Sequence, residues 1–142
     1  MDEVEAIRRL KARYFRLLDT KDWGDLVEVF SEDVAADMTG VGGPAVQGAT
    51  ELVGFLRESL TDVVTVHYGH MPEIDITSPT TATGIWSLED YLWWPEGGPW
   101  RSMHGFGHYH ETYEKTDAGW QIKTWAITRL HVVTEPWPAA QS

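Results

Sequence analysis

Cysteine is absent from the 142-residue chain, which removes disulfides, thiolate nucleophiles and zinc–sulfur centres together. Basic residues are scarce: 11 Lys and Arg against 22 Asp and Glu leave a net charge of −11. A surface so negative repels phosphate backbones and anionic lipid, so neither a nucleic-acid nor a membrane partner is expected. Long apolar runs are missing too. None approaches the ~20 residues that span a bilayer, and the opening MDEVEAIRRL lacks the apolar stretch of a secretory leader. A cytoplasmic protein is the expectation. What the chain does hold is a rich supply of core material: 42 % hydrophobic residues, 12 % aromatic, eight of them Trp. That excludes disorder for the whole and suits one domain with a sizeable core.

Residues 3 to 18 carry Ile7, Leu10, Tyr14, Leu17 and Leu18 at three- and four-residue spacing, which predicts an amphipathic helix. Arg8, Arg9, Lys11, Arg13 and Arg16 are assigned to its other face, a solvated stripe or a match for acidic neighbours. "DTKDW" turns the chain into a short second helix from Asp25 to Phe30, and a third helix is expected from about Thr50 to Leu60. "SEDVAADMTG" suits a turn and a strand, whereas "GVGGPAVQG" has the composition of a loop. Beyond Leu60 the character changes. Residues 63 to 76, 82 to 94, 101 to 115 and 120 to 134 are rich in β-branched and aromatic residues, and "SPTT", "PEGGP" and "TDAG" separate them. The pattern predicts an α+β fold: helices over one face of a curved antiparallel sheet, enclosing a pocket. Residues 1 to 134 form one expected domain and 135 to 142 a C-terminal tail.

Histidine is the chemical clue, since it changes charge near neutral pH without special help. His67 closes an apolar strand on which Val63, Thr65 and His67 share one face. Alternation also groups His104, Phe106, His108 and His110 on one face of the next-to-last strand. Met103, Gly105, Gly107, Tyr109 and Glu111 take its other face. Tyr14 is in line with the apolar stripe of its helix, and Asp19 ends that helix. Arg129 lies among Trp125, Ile127 and Val133, where a charge needs a partner. Each has a plainer assignment. Tyr14 serves as ordinary core, Asp19 as a cap, His67 as a satisfied structural ring, and Arg129 as half of an ion pair.

Three segments carry a resemblance: "ARYFRLLDTKDWGDLVEVFSEDV", "TVHYGHMPEIDI" and "GHYHETYEKTDAGWQIKTWAITRLHV". Together they resemble the SnoaL-like branch of the superfamily named after nuclear transport factor two, nearest the scytalone dehydratase and bile-acid 7α-dehydratase subgroup. The resemblance runs from about Val4 to Val132 and implies a cystatin-like α+β barrel, a cone of bent sheet closed by three helices. Carried over, it puts active-site residues on Tyr14, Asp19, His67 and Arg129, with a second histidine at His104. It implies a homo-oligomer, trimer or dimer, that meets through the outer sheet face.

These residue types suit elimination of water beside a carbonyl. His67 would move the proton, Asp19 would orient its ring, and Tyr14 would donate to the developing enolate. Trp86, Phe106, His108 and Trp125 would line the wall against a hydrophobic cyclic or polycyclic substrate. No cofactor motif is visible and the chemistry requires none. Isomerisation or polyketide cyclisation would use the same groups, and a non-catalytic pocket could hold the same ligand. "HYHETYE", half of a cupin-type metal signature, leaves a metal enzyme as a further alternative, though the helices oppose it.

Overall fold

The computed structural model describes residues 2–139. Helix α1 spans Glu3–Asp19 and is capped by Asp2, whose carboxylate accepts from the Val4 amide at 2.8 Å. Acidic Glu3 and Glu5 in its first turn and Arg16 in its last complement the helix dipole. Ile7, Leu10, Tyr14, Leu17 and Leu18 are buried, as their spacing predicts. So is Lys11, contrary to its assignment to the solvated stripe. Helix α2 is shorter than expected, Trp23–Val27, and Phe30 leaves it to open strand β1, Phe30–Asp37. The cause is tertiary: the Val29 carbonyl accepts from the Ile122 amide at 3.0 Å, drawing the chain into the sheet.

The glycine-rich stretch folds into a 3₁₀ turn at Thr39–Val41 and a three-residue strand β2, Ala45–Gln47. Gly42 and Gly48, at φ 82° and 97°, supply the left-handed conformations that bracket β2. Helix α3, Ala49–Leu60, follows, with Leu52, Val53 and Leu56 buried. Four long strands complete the chain: β3 Val64–Ser78, β4 Thr81–Trp93, β5 Ser102–Thr116 and β6 Gly119–Glu135.

The six strands form one sheet in the order β2-β1-β6-β5-β4-β3. All neighbours run antiparallel except β1 and β6, which are parallel. β2 and β3 are the two edges, so the curved sheet is not closed. Register shifts between Gly69 and Pro72 in β3, and between Phe106 and Gly107 against β6, mark the bulges that bend these long strands. Pro72 is tolerated because β3 is an edge strand. Alternate residues of β4 (Ala82 to Leu92) and β5 (Gly105 to Tyr113) are buried beneath the helices, and the intervening ones face outward. Among the described residues no helix is long and apolar enough to cross a membrane.

Candidate active site

The end of α1 meets the edge strand β3. Past Thr20 the chain adopts a left-handed conformation at Lys21, φ 62°, which costs a side-chain-bearing residue roughly 1–2 kcal/mol. The strain has a visible return in the contacts it allows. Lys21 Nζ donates to Thr65 Oγ1 at 2.8 Å, and Thr65 donates to Asp19 Oδ1 at 2.9 Å. Asp19 Oδ2 accepts the His67 backbone N–H at 2.8 Å, and Oδ1 lies 2.7 Å from His67 Nδ1. The network has one direction. An ammonium can only donate, so the Thr65 oxygen accepts and its own proton goes to Asp19. An ionised carboxylate can only accept, so in a neutral His67 ring the proton sits on Nδ1 and the lone pair on Nε2. The His67 and Asp19 side chains are 9 % and 21 % exposed. Partial burial lowers the Lys21 ammonium from its ordinary value, against the pull of Asp19.

His67 stands in the wall of a cavity of about 240 Å³, together with Tyr14, Tyr109 and Trp125. Leu18, Met38, Phe55, Leu56 and Ile127 make the rest of the lining mostly apolar. Burial pushes the Tyr14 and Tyr109 phenols well above their ordinary 10, and each perturbs the other. The Tyr109 hydroxyl and the Trp125 indole N–H are buried with no hydrogen-bond partner of ordinary geometry among the described residues.

Next to His67 across β3 and β4 stands Asp90, and opposite Asp90 on β5 is Gly105. Arg129 of β6 reaches over this glycine and grips Asp90 with two parallel bonds, Nη1 to Oδ1 at 2.7 Å and Nη2 to Oδ2 at 2.9 Å. A Cβ at position 105 would collide with both the guanidinium and the carboxylate. Arg129 therefore faces the interior, but its charge is matched by Asp90, and it does not line the cavity.

Three of the expected site residues point the other way. On β5 the buried set is Gly105, Gly107, Tyr109, Glu111 and Tyr113. His104, Phe106 and His108 therefore lie on the outer face, away from His67, and neither a second catalytic histidine nor this part of a substrate wall is found in the cavity. His104 Nε2 instead bonds Glu89 Oε2 at 2.7 Å, and the ring of Tyr91 stacks on it at 3.8 Å. His70 Nε2 reaches the other Glu89 oxygen at 3.0 Å. These histidines, His104 first, hold the Glu89 carboxyl below its ordinary range. Trp86 does face inward, but its indole donates to Tyr113 Oη at 2.9 Å within the packed core and misses the cavity. Glu114 pairs with Lys123 at 3.4 Å, and no group of three or more His, Asp or Glu among the described residues is placed to hold a metal.

Sequence reasoning missed Thr65, Tyr109, Asp90 and the buried pair Lys11–Glu111. For Lys11 a signal existed: Ile7, Lys11, Tyr14 and Leu18 follow the four–three–four spacing of the apolar stripe itself.

The family model described as "SnoaL-like domain" matches residues 1–126. A Gibberella zeae protein named Probable cyclase FGR4 is 22 % identical over 134 residues, 88 % of this chain and 89 % of its own length. Among solved structures, a Novosphingobium aromaticivorans protein provisionally named a scytalone dehydratase superposes with a TM-score of 0.82 at 21 % identity, covering 98 % of this chain and 95 % of that one. The hexachlorocyclohexane dehydrochlorinase LinA-type3 of Novosphingobium barchaimii superposes with a TM-score of 0.79 at 17 % identity, covering 95 % and 94 %. At these identities the solved structures share the fold.

Proposed function

We propose that this chain, which belongs to the SnoaL-like domain family, is a cofactor-independent hydro-lyase acting beside a carbonyl on a hydrophobic cyclic small molecule. One observation carries the proposal: the 2.7 Å contact of His67 Nδ1 with Asp19, in the wall of a cavity that Tyr14 shares. A pocket that only holds a ligand has no need of a carboxylate-oriented imidazole.

The steps follow from the protonation states. His67 Nε2 takes the α-proton and becomes imidazolium, which the Asp19 carboxylate stabilises. The electron pair moves to the carbonyl oxygen as an enolate, toward which Tyr14 donates. The enolate then reforms the carbonyl, the β-carbon–oxygen bond breaks, and imidazolium protonates the departing hydroxyl as water. One ring serves both steps when proton and hydroxyl leave the same face. The mostly apolar lining and the small exposure of His67 limit the contact of the imidazolium with bulk water.

At about 240 Å³ the cavity holds the volume of roughly eight waters, taken at ~30 Å³ each, and lies below the ~300–1,000 Å³ common for drug-sized ligands. A one- or two-ring substrate fits better than a larger polycycle. The names borne by the neighbours, a dehydratase, a dehydrochlorinase and a cyclase, describe small-molecule chemistry of related kinds. A cytoplasmic homo-oligomer, dimer or trimer, belongs to the same proposal, with Val64, Tyr68, Trp93 and Val133 exposed outside the core.

The test is a panel of one- and two-ring β-hydroxy ketones, followed by the ultraviolet absorbance of the conjugated product. Turnover is expected from the native chain and not from His67→Ala or Asp19→Asn, both still folded at the assay temperature with at most a modest fall in melting temperature. Binding of the panel without turnover would replace the enzyme by a carrier. An isomerised or cyclised product would keep the dyad and change the reaction.

A further inference from the structure

A buried ion pair lies behind the cavity wall, in a place the proposed steps do not use. Lys11 Nζ has no exposure and donates to Glu111 Oε2 at 2.6 Å. The other Glu111 oxygen accepts from Tyr113 at 2.6 Å, and Tyr113 accepts from the Trp86 indole. Elsewhere the ammonium meets aromatic faces. It stands 3.5 Å from the ring centroid of Tyr109 and 3.9 Å from that of Tyr14. These are the two phenols of the cavity wall. Stability alone does not call for such a charge, because an apolar pair of similar volume usually packs as well or better.

We propose that Lys11 is a positioning residue: its ammonium, held against the ring faces of Tyr14 and Tyr109, strengthens the hydrogen bonds these phenols give to an anionic oxygen in the cavity. The inference rests on Tyr14 as donor to the developing enolate. When a phenol lends its proton to an enolate, electron density moves onto its oxygen and into the ring. A cation on the ring face stabilises that density. Glu111 acts in the opposite sense, but it is the ammonium that touches both rings. Burial pulls the Lys11 ammonium down to about 8, while the Glu111 carboxylate at 2.6 Å holds it up and favours the charged form.

The test uses two probes of similar shape at neutral pH, pentafluorophenolate as the anion and hexafluorobenzene as its uncharged counterpart, with affinities measured by calorimetry or fluorine NMR. Lys11→Met combined with Glu111→Gln removes the charge and leaves Tyr113 its acceptor. The expected result is phenolate affinity lowered about tenfold, equivalent to ~1.4 kcal/mol, with hexafluorobenzene nearly unchanged. If that pair does not fold, Lys11→Gln with Glu111→Gln replaces the ion pair by an amide pair and carries the same comparison. Equal losses for both probes would show a merely structural role and overturn the inference. Tyr14→Phe separates the two levels. If it weakens the phenolate while the Lys11 variants do not, Lys11 is excluded and the donor role of Tyr14 stands. If the native chain binds the phenolate no better than Tyr14→Phe with Tyr109→Phe does, both fall.

Discussion

Replacing Asp19 by asparagine changes one atom and inverts the logic of the site. Asp19 accepts from three donors: the His67 amide at 2.8 Å, His67 Nδ1 at 2.7 Å and Thr65 Oγ1 at 2.9 Å. An asparagine offers one accepting oxygen. If that oxygen stays on the backbone N–H, the amide nitrogen faces Nδ1 and donates to it. Nδ1 must then give up its proton, the tautomer switches, and Nε2 becomes protonated and useless as a base. If the amide is turned over, its NH₂ meets the His67 N–H head-on instead. The loss of one charge-assisted hydrogen bond is worth about 1.5–3 kcal/mol, so a modest fall in melting temperature is expected. The rate should fall much further, by roughly 10⁴-fold in kcat, the size found when the orienting carboxylate of a serine-protease triad is amidated. Nitrogen-15 NMR of the imidazoles checks the cause without a substrate. The neutral native ring should show a protonated Nδ1 and an Asp19→Asn ring a protonated Nε2. A native His67 protonated at Nε2, or an amide variant retaining more than about a tenth of kcat, would refute the reasoning.

Gly105→Ala drives a methyl group into the Asp90–Arg129 pair; urea unfolding should show about 3 kcal/mol lost, as when a buried pair is broken, and under about 1 kcal/mol would mean the pair moves aside. His104→Gln, on the outer face, should leave turnover within about a factor of two, whereas a large loss would return that ring to the chemistry. Lys11 provides a pH signature. Its folded value of about 8 lies below the ordinary 10.5 of an exposed lysine, so between the two the unfolded chain holds the extra proton and stability rises with pH. Above 10 the buried phenols, raised in the folded state, reverse the trend, because the unfolded chain then releases protons first. Urea midpoints taken in small steps across that window should climb in the native chain but not in the Lys11→Met, Glu111→Gln variant, and a native chain that only loses stability there would contradict the sign.

Periodicity made the helices legible, because Ile7, Leu10, Tyr14, Leu17 and Leu18 leave little choice of face. The long strands were legible from their β-branched and aromatic content between turn segments, and alternation put His67 on the same side as Thr65, which is buried. The pairing of Asp19 with His67, 48 residues apart, has no local signal and was reachable through family resemblance alone. On β5 alternation sorted the residues correctly without saying which set faced the core. A set with His104, Phe106 and His108 looked the more suited to a pocket than one with two glycines and a glutamate. Those glycines make room for Arg129 and backbone, and the glutamate is met by a lysine on α1, partners that no inspection of β5 could supply. The parallel partner of β1 lies some ninety residues onward, and β2 is three residues long. Neither length nor separation leaves a trace in local composition.

The His67 amide points to the unpaired flank of β3, where among the described residues no strand stands to take it, and Asp19 takes it instead. The same carboxylate therefore latches the margin of the sheet and steers the imidazole. Peeling of that margin and misalignment of the base are one event. Solvent deuterium should reach this single amide only as fast as the base itself comes loose, so its exchange would time the site's opening in the resting protein.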